Sequence, residues 1–77
     1  MIESNINVTL PLVRIGEVIR RLREARGLTQ TVLARRAGLS RMHVIRIERD
    51  DISPTLDTVE KVAKALGVTV RTLLPKE

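Results

Sequence analysis

Residues 29–48 constrain this chain more than any other segment, because they carry helix signals on both sides of a stop and a restart. Apolar residues recur at helical spacing before and after the triplet Gly38-Leu39-Ser40. Glycine readily adopts the left-handed conformation that ends a helix, and a serine side chain caps the first turn of the next one. The segment therefore predicts two short amphipathic helices joined by a tight turn.

The same punctuation recurs along the chain, in the triplets Gly27-Leu28-Thr29, Gly38-Leu39-Ser40 and Gly67-Val68-Thr69. Each triplet is predicted to end one helix, to place an apolar residue at the joint and to cap the next helix. A fourth junction, residues 50–55, contains a proline ahead of the capping residue Thr55. These breaks predict five helices, at residues 13–26, 30–37, 41–48, 56–66 and 70–74.

Apolar spacing identifies the helix faces that form the core. The first helix places Ile15, Ile19 and Leu22 at i, i+4 and i+7, and Val18 and Ala25 widen this stripe. The other helices are predicted to contribute an aliphatic set: Leu33, Ala34, Ala37, Val44, Ile47, Leu56, Val59, Val62, Ala63, Leu66, Val70, Leu73 and Leu74. With 77 residues and no aromatic side chain, the chain is expected to form one small all-α domain whose stability leans on a partner subunit.

The first dozen residues differ from the rest. Apolar and polar residues alternate from Ile6 through Val8 to Leu12, which is the period of a strand, and Pro11 restricts such a strand to an edge. A single strand has no partner in an all-helical domain. It either pairs with its copy in a second subunit, lies as an extended arm, or is disordered. We therefore divide the chain into an N-terminal arm, residues 1–12, and a helical domain, residues 13–77.

Positive charge is concentrated on the central helix pair. The net charge is +5, but residues 14–49 hold ten arginines against three glutamates, whereas residues 50–77 hold four cations against five acids. Guanidinium groups fork onto phosphate oxygens and base edges. The third helix also turns Met42, Arg46 and Arg49 away from its apolar residues. A free basic helix of this kind is suited to a DNA groove, although solvated arginines would give the same composition.

Other classes of protein are excluded or disfavoured by composition. The chain has no cysteine for disulfides or thiolate metal sites, and no apolar run long enough to span a bilayer. Its first residues lack the layout of a secretory signal, so we expect a cytoplasmic protein. His43 is the only histidine, and no nucleophile and base can be paired. We therefore expect no metal, no cofactor and no enzymatic activity.

Residues 15–74 carry a family pattern in one ungapped register. It consists of Arg23, Thr29-Gln30, Leu33-Ala34, Gly38-Leu39-Ser40, Val44, Ile47-Glu48, Pro54-Thr55-Leu56 and the run Ala63-Lys64-Ala65-Leu66-Gly67-Val68. This pattern closely resembles the phage repressor and Cro-like helix-turn-helix family, often called the XRE family. The resemblance implies a five-helix, lambda-repressor-like domain that binds specific duplex DNA, usually as a two-fold dimer. The N-terminal arm and the absence of aromatic residues fall outside the usual pattern.

The resemblance implies that the third helix lies in the major groove and that Arg41, Met42 and Arg46 contact base edges. The chemistry of the two arginines agrees, since a guanidinium pairs with guanine O6 and N7. Met42 either contacts a thymine methyl group or is exposed filler. Ile45 lies at the edge of the helix face that carries Met42 and Arg46, and it contacts either a thymine or a neighbouring helix.

Phosphate contacts are expected at the edges of the same surface. Gln30 begins the second helix, where backbone amides and the helix dipole favour an anion, and the resemblance implies that it binds a phosphate. Ser40 and His43, at the start of the third helix, resemble phosphate contacts. For His43, plain solvent exposure remains the alternative. Arg49 is either a DNA-backbone contact or a solvated charge.

The resemblance also implies a structural ion pair between Arg23 and Glu48. Such a pair fixes the angle of the third helix and adds modest net stability. Removal of one partner would leave a partly buried charge, so Glu48→Ala is expected to harm folding before it harms DNA contact.

The sequence thus predicts a sequence-specific, double-stranded DNA-binding transcriptional regulator. We expect a repressor that binds an inverted-repeat operator as a homodimer. Dimer contacts are expected from the last helix or the arm, through Val70, Leu73, Leu74, Ile6 and Val8. One alternative is the antitoxin of a toxin–antitoxin pair, which binds DNA and a small toxin partner. The other is a protein-interaction scaffold that does not bind DNA.

Overall fold

A computed structural model describes residues 15–74, and all regular structure in this range is helical. The five helices are α1 (Ile15–Ala25), α2 (Gln30–Ala37), α3 (Arg41–Glu48), α4 (Leu56–Leu66) and α5 (Val70–Leu73). The all-α, five-helix class expected from the sequence is confirmed. The predicted arm, with Ile6 and Val8, lies outside the described residues, as do residues 13, 14 and 75–77. No described helix combines the length and apolar character needed to cross a membrane.

Helix α1 ends at Ala25, one residue earlier than predicted. The predicted bounds of α2, α3 and α4 are confirmed, and α5 ends one residue earlier than predicted. Local capping explains this agreement. Each of these helices begins after a hydroxyl side chain that accepts a hydrogen bond from a backbone amide three residues further along; these capping residues are Thr29, Ser40, Thr55 and Thr69. Residues that set a helix start through contacts within one turn can be identified from the sequence.

The joint between α2 and α3 shows how the recurring triplet works. Gly38 has a φ of +72° and donates its amide to Arg35 O, while the amide of Leu39 donates to Ala34 O at 2.8 Å. The Leu39 side chain packs against the core. The same pair of hydrogen bonds and the same apolar contact recur in the other two triplets, through Leu28 and Val68. Each joint therefore stops one helix and anchors the turn.

The core is aliphatic and is shared by all five helices. Helix α2 packs against α3 and α4, α1 packs against α3, and α5 packs against α4. The buried apolar residues of the described range are Ile15, Ile19, Leu33, Ala34, Ala37, Val44, Ile47, Val59, Val62, Ala63, Leu66 and Leu73. Val18 and Leu22 pack against this cluster while half-buried. Helix α3 is thus held through one face only.

Three residues that were predicted to be in the core are exposed, so those predictions were wrong: Ala25, Leu56 and Leu74. Leu74 directly follows the last residue of α5 and is 41% exposed. Ala25 is exposed because the inward stripe of α1 continues through Arg23 instead. Leu56 is 66% exposed. It is the first residue of α4, and helical side chains lean towards the N-terminus, so that of Leu56 extends past the packed end of the helix.

The start of α1 rests on the end of α3, at Gly16. The Gly16 amide donates to Asp50 Oδ1 at 3.2 Å, and a Cβ atom at Gly16 would lie only 2.1 Å from the carbonyl oxygen of Ile47. Glycine is therefore required for α1 to approach α3 this closely. This contact was not predicted, although an isolated glycine in a helical pattern often indicates close packing.

Candidate nucleic-acid interface

Helix α3 presents one face to solvent. Val44 and Ile47 are each 1% exposed and fix the inner side of the helix. Met42, Arg46 and Arg49 follow one another at i, i+4 and i+7, and all three are exposed. The orientation predicted from the sequence is thus observed. We give the name α3 outer face to the surface formed by Arg41, Met42, Ile45, Arg46 and Arg49. Ile45 is half-buried and the other four residues are exposed.

The α3 outer face is basic. Three of its five residues are arginines, and Arg35 and Arg36 lie exposed at the end of α2. The one carboxylate of α3, that of Glu48, points inward and is buried. No acidic side chain of α3 therefore offsets the positive charge of the outer face. Such a face attracts polyanions at a range set by ionic screening.

An open groove of about 380 Å³ runs beside α3. It is lined by both apolar and hydrogen-bonding side chains: Ser40, Met42, His43, Arg46 and Ile52. Ile52, which is half-buried, was not identified as a candidate site residue. The sequence feature that could have identified Ile52 is that it is an apolar residue in a loop otherwise made of aspartate, serine, proline and threonine. The groove brings together four of the predicted site residues.

The remaining predicted contacts lie close to the same face. Ser40 Oγ accepts the amide of His43 at 3.0 Å, so Ser40 caps α3. His43 and Ile45 are half-buried, and Arg41 is exposed. Arg49 Nε lies 3.6 Å from Asp51 Oδ2 in an ion pair whose partners are both largely exposed, which leaves the arginine able to exchange partners. Within residues 15–74, no cluster of three or more His, Cys, Asp and Glu residues is arranged to hold a metal ion.

Arg23 and Glu48 form a buried ion pair between α1 and α3. Arg23 Nε lies 2.6 Å from Glu48 Oε2, and Arg23 Nη2 donates to Glu48 Oε1 at 3.1 Å. Arg23 Nη1 also donates to Leu28 O at 2.7 Å, which ties the pair to the joint before α2. The hydrogen bond to Glu48 raises the pKa of Arg23 against the opposing effect of burial, and the charges of Glu48 and Glu24 raise it further. The guanidinium of Arg23 is a cation in any case, and the pair with Glu48 compensates the burial of this charge.

Gln30 joins this pair through an interaction that was not predicted. Its Nε2 donates to Glu48 Oε1 at 3.1 Å, and the side chain is half-buried at the first position of α2. The two residues are 18 positions apart, so no local pattern links them. The carboxamide NH2 group of Gln30 has two N–H donors, and the hydrogen bond to Glu48 uses one of them.

The last helix offers less exposed apolar surface than the sequence predicted. Leu73 is 0% exposed and belongs to the core, so its side chain cannot form the predicted dimer contact. It lies inward because α5 packs against α4. Val70 is half-buried and Leu74 is 41% exposed. Only these two of the three predicted α5 residues present apolar surface to solvent.

Helices α2 and α3 are joined by a tight capped turn, and α3 packs on the core with its apolar side while its other side faces solvent. This arrangement is that of the helix-turn-helix class. A family model described as helix-turn-helix matches residues 19–73. The chain belongs to this family, in the XRE group of DNA-binding transcriptional regulators that includes phage repressors. The family is one of regulators and not a class of enzymes.

Curated relatives share this domain. The chain is 44% identical over 63 residues to the immunity repressor protein of Bacillus phage phi105, covering 82% of this chain and 44% of that protein. It is 34% identical over 64 residues to the transcriptional regulator SinR of Bacillus subtilis, covering 82% of this chain and 58% of SinR. The chain thus spans about half the length of these two relatives.

Solved structures have the same fold. The restriction-modification controller protein C.AhdI of Aeromonas hydrophila superposes with a TM-score of 0.79 at 40% identity, covering 82% of this chain and 96% of that chain. The P22 c2 repressor, solved in complex with a synthetic operator, superposes with a TM-score of 0.75 at 27% identity, again covering 82% and 96%. The lambda-repressor-like fold expected from the sequence is confirmed.

Proposed function

We propose that this chain binds double-stranded DNA sequence-specifically and represses transcription as a homodimer on an inverted-repeat operator, in the cytoplasm. The observation that carries this function is the α3 outer face, which is basic and open to solvent. Helix α3 packs on the core through its opposite side, with Val44 and Ile47. The likeness to the P22 c2 repressor, whose structure contains an operator, supports DNA binding.

Arg41, Met42 and Arg46 are the proposed base contacts. They project from the first six residues of α3, the part of a reading helix that enters the major groove. Arginine can pair with guanine O6 and N7, and such a contact discriminates against another base by about 1–3 kcal/mol. Met42 lines the groove beside α3 and is 53% exposed, which suits contact with a thymine methyl group.

Gln30, Ser40, His43 and Arg49 are the proposed phosphate contacts. Gln30 begins α2, Ser40 and His43 lie at the cap and in the first turn of α3, and Arg49 directly follows α3. Contacts to the DNA backbone set the position and register of the protein without reading sequence. Arg49 exchanges Asp51 for a phosphate oxygen in this arrangement, because its present ion pair is open to solvent.

We further propose that residues 13–77 form the DNA-binding domain and that two copies associate through α5. One such domain buries only a modest area on DNA, whereas a two-fold dimer reads two half-sites about one helical turn, or about 34 Å, apart. Two apolar residues suit this contact: Val70, which is half-buried, and Leu74, which directly follows α5 and is 41% exposed. The arm, through Ile6 and Val8, is the second proposed dimer element.

Selection of bound sequences from a random duplex pool tests this function directly. The expected result is a family of inverted repeats, with binding whose log-affinity falls linearly as log-salt rises. Sizing of the protein–DNA complex by sedimentation then gives two chains per duplex. Recovery of no sequence, with no salt-dependent affinity, would contradict the proposal and favour a protein-interaction scaffold. Stable co-purification of a small protein encoded beside this chain would favour an antitoxin instead.

A further inference from the structure

We propose that Glu48 is a positioning residue for DNA docking, which orients the carboxamide of Gln30 towards a phosphate. This role rests on the proposed function and deepens it, since Glu48 itself touches no DNA. It differs from the structural ion pair, because it assigns to the buried carboxylate a second task at the protein surface.

The contacts of Glu48 support this role. Its side chain is 2% exposed, and its two oxygens accept three hydrogen bonds: two from Arg23, at 2.6 and 3.1 Å, and one from Gln30 at 3.1 Å. A buried carboxylate that accepts a bidentate pair of hydrogen bonds from a guanidinium has little freedom to rotate. It therefore presents Oε1 to Gln30 in one fixed direction.

The position of Gln30 explains why a fixed orientation of its carboxamide matters for DNA binding. Gln30 is the first residue of α2, at the end where unpaired amides and the helix dipole favour an anion. A free glutamine side chain samples several rotamers, and ordering it on binding costs affinity. The hydrogen bond from Nε2 to Glu48 orders the carboxamide beforehand and leaves its second N–H to donate to a phosphate oxygen.

The same network connects docking with reading. Glu48 is the last residue of α3, Arg23 lies on α1, and Arg23 Nη1 holds Leu28 O in the joint that leads into α2. The proposed phosphate contact and the reading helix are thus fixed to the same carboxylate. A phosphate bound at Gln30 consequently sets the position of α3 in the groove.

The test is a double-mutant cycle on operator affinity, with thermal unfolding measured in parallel. Gln30→Ala is expected to weaken operator binding about tenfold, as the loss of one hydrogen bond to a charged group. Glu48→Gln is expected to weaken binding by a similar factor in the native background and by less than about twofold in the Gln30→Ala background. The loss of thermal stability from Glu48→Gln is expected in both backgrounds, because the pair with Arg23 is disrupted in both, and to be slightly smaller without Gln30, whose own hydrogen bond to Glu48 is then already absent.

Glu60→Gln is the matched control, because Glu60 is exposed on α4 and undergoes the same chemical change. Removal of one negative charge by itself favours DNA binding, so this control is expected to bind equally well or slightly tighter. Weaker binding by Glu48→Gln, against that trend, identifies a loss of geometry. Equal fractional losses from Glu48→Gln in both backgrounds would overturn the positioning role while leaving DNA binding itself intact.

A second variant keeps the test decisive if Glu48→Gln does not fold. Gln30→Asn retains a carboxamide but is one methylene shorter, so it cannot span the distance to Glu48 and present the same donor outwards. It is expected to lose affinity as fully as Gln30→Ala, and to lower the unfolding temperature no more than Gln30→Ala does, since both variants lose the same hydrogen bond to Glu48. Native affinity in Gln30→Asn would overturn the proposal. Absence of any operator binding by the native protein would instead contradict the proposed function.

Discussion

The backbone amide of Gly16 donates a hydrogen bond to Oδ1 of Asp50, so the start of α1 is capped by a residue 34 positions further along the chain. Asp50 follows the end of α3 and has a φ of +59°, the one positive φ of a non-glycine residue in the described range. At the ends of α1, α2 and α4 the residue with positive φ is a glycine. Asp50 therefore ends α3 and fixes α1 to it with one side chain.

Replacement of Gly16 by alanine should destabilise the fold. In an ordinary helix this change stabilises by about 1 kcal/mol, because alanine has the better helix propensity. Here the new Cβ would lie 2.1 Å from Ile47 O and 2.6 Å from Asp50 Oδ1, so α1 must move away from α3. We expect a net loss of about 1–3 kcal/mol in the free energy of unfolding, measured by urea denaturation. A gain in stability would show that the two helices separate without cost.

Substitutions at Asp50 should separate its two roles. Asn keeps an acceptor for the Gly16 amide and tolerates the left-handed backbone, so Asp50→Asn should cost little. Asp50→Gly loses only the hydrogen bond, whereas Asp50→Ala also meets a left-handed penalty of about 1–2 kcal/mol. The unfolding midpoint is expected to be highest with Asp at position 50, and to fall in the order Asn, Gly and Ala. Equal midpoints for Gly and Ala would indicate that the backbone relaxes.

Loss of the Glu48 side chain should reduce stability far more than loss of an exposed partner. Glu48→Ala leaves the buried Arg23 guanidinium without its carboxylate, and removal of one partner of a buried pair costs about 3–5 kcal/mol. Glu17 pairs with Arg21 in the open, and Glu17→Ala should cost less than about 0.5 kcal/mol. Chemical denaturation of the two variants measures the contrast. Similar losses would mean that the buried pair contributes no more than a surface pair.

Arg46 and Gln30 should differ in how they affect DNA recognition. Arg46→Ala is expected to flatten discrimination at one base pair, because it removes a proposed base contact. Gln30→Ala is expected to weaken all duplexes about equally, because it removes a proposed phosphate contact. Affinities measured on the selected operator and on each of its single-base variants give both profiles. A uniform loss in both variants would contradict this division between reading and docking.

A charge at Leu74 should separate the proposed dimer. Leu74→Asp places a carboxylate on exposed apolar surface of α5, so helix content should persist while sedimentation shifts to one chain. Operator affinity should fall by more than tenfold, since each half-site is then bound separately. Leu56→Asp is the control, because Leu56 is also an exposed leucine but begins α4. A monomer produced by Leu56→Asp alone would move the dimer surface to α4.

The helix bounds and the orientation of α3 could be predicted because both depend on short-range chemistry. The hydroxyl caps Thr29, Ser40 and Thr55 act on amides three residues away, and the spacing of Val44 and Ile47 determines which side of α3 turns inward. The placements of Leu56 and Leu73 were harder to predict. Both are apolar helix residues, and only their positions relative to neighbouring helices make one exposed and the other buried.

By itself the sequence determined where α2, α3 and α4 begin and end, the family, and the concentration of arginines on the helix pair. The tertiary structure alone decided that Gly16 meets Asp50, that Gln30 is held by Glu48, and that Ile52 lines the groove beside α3. The physical reason is distance along the chain. Caps and turns are satisfied within a few residues, whereas these contacts form only when packing of the aliphatic core brings separate helices together.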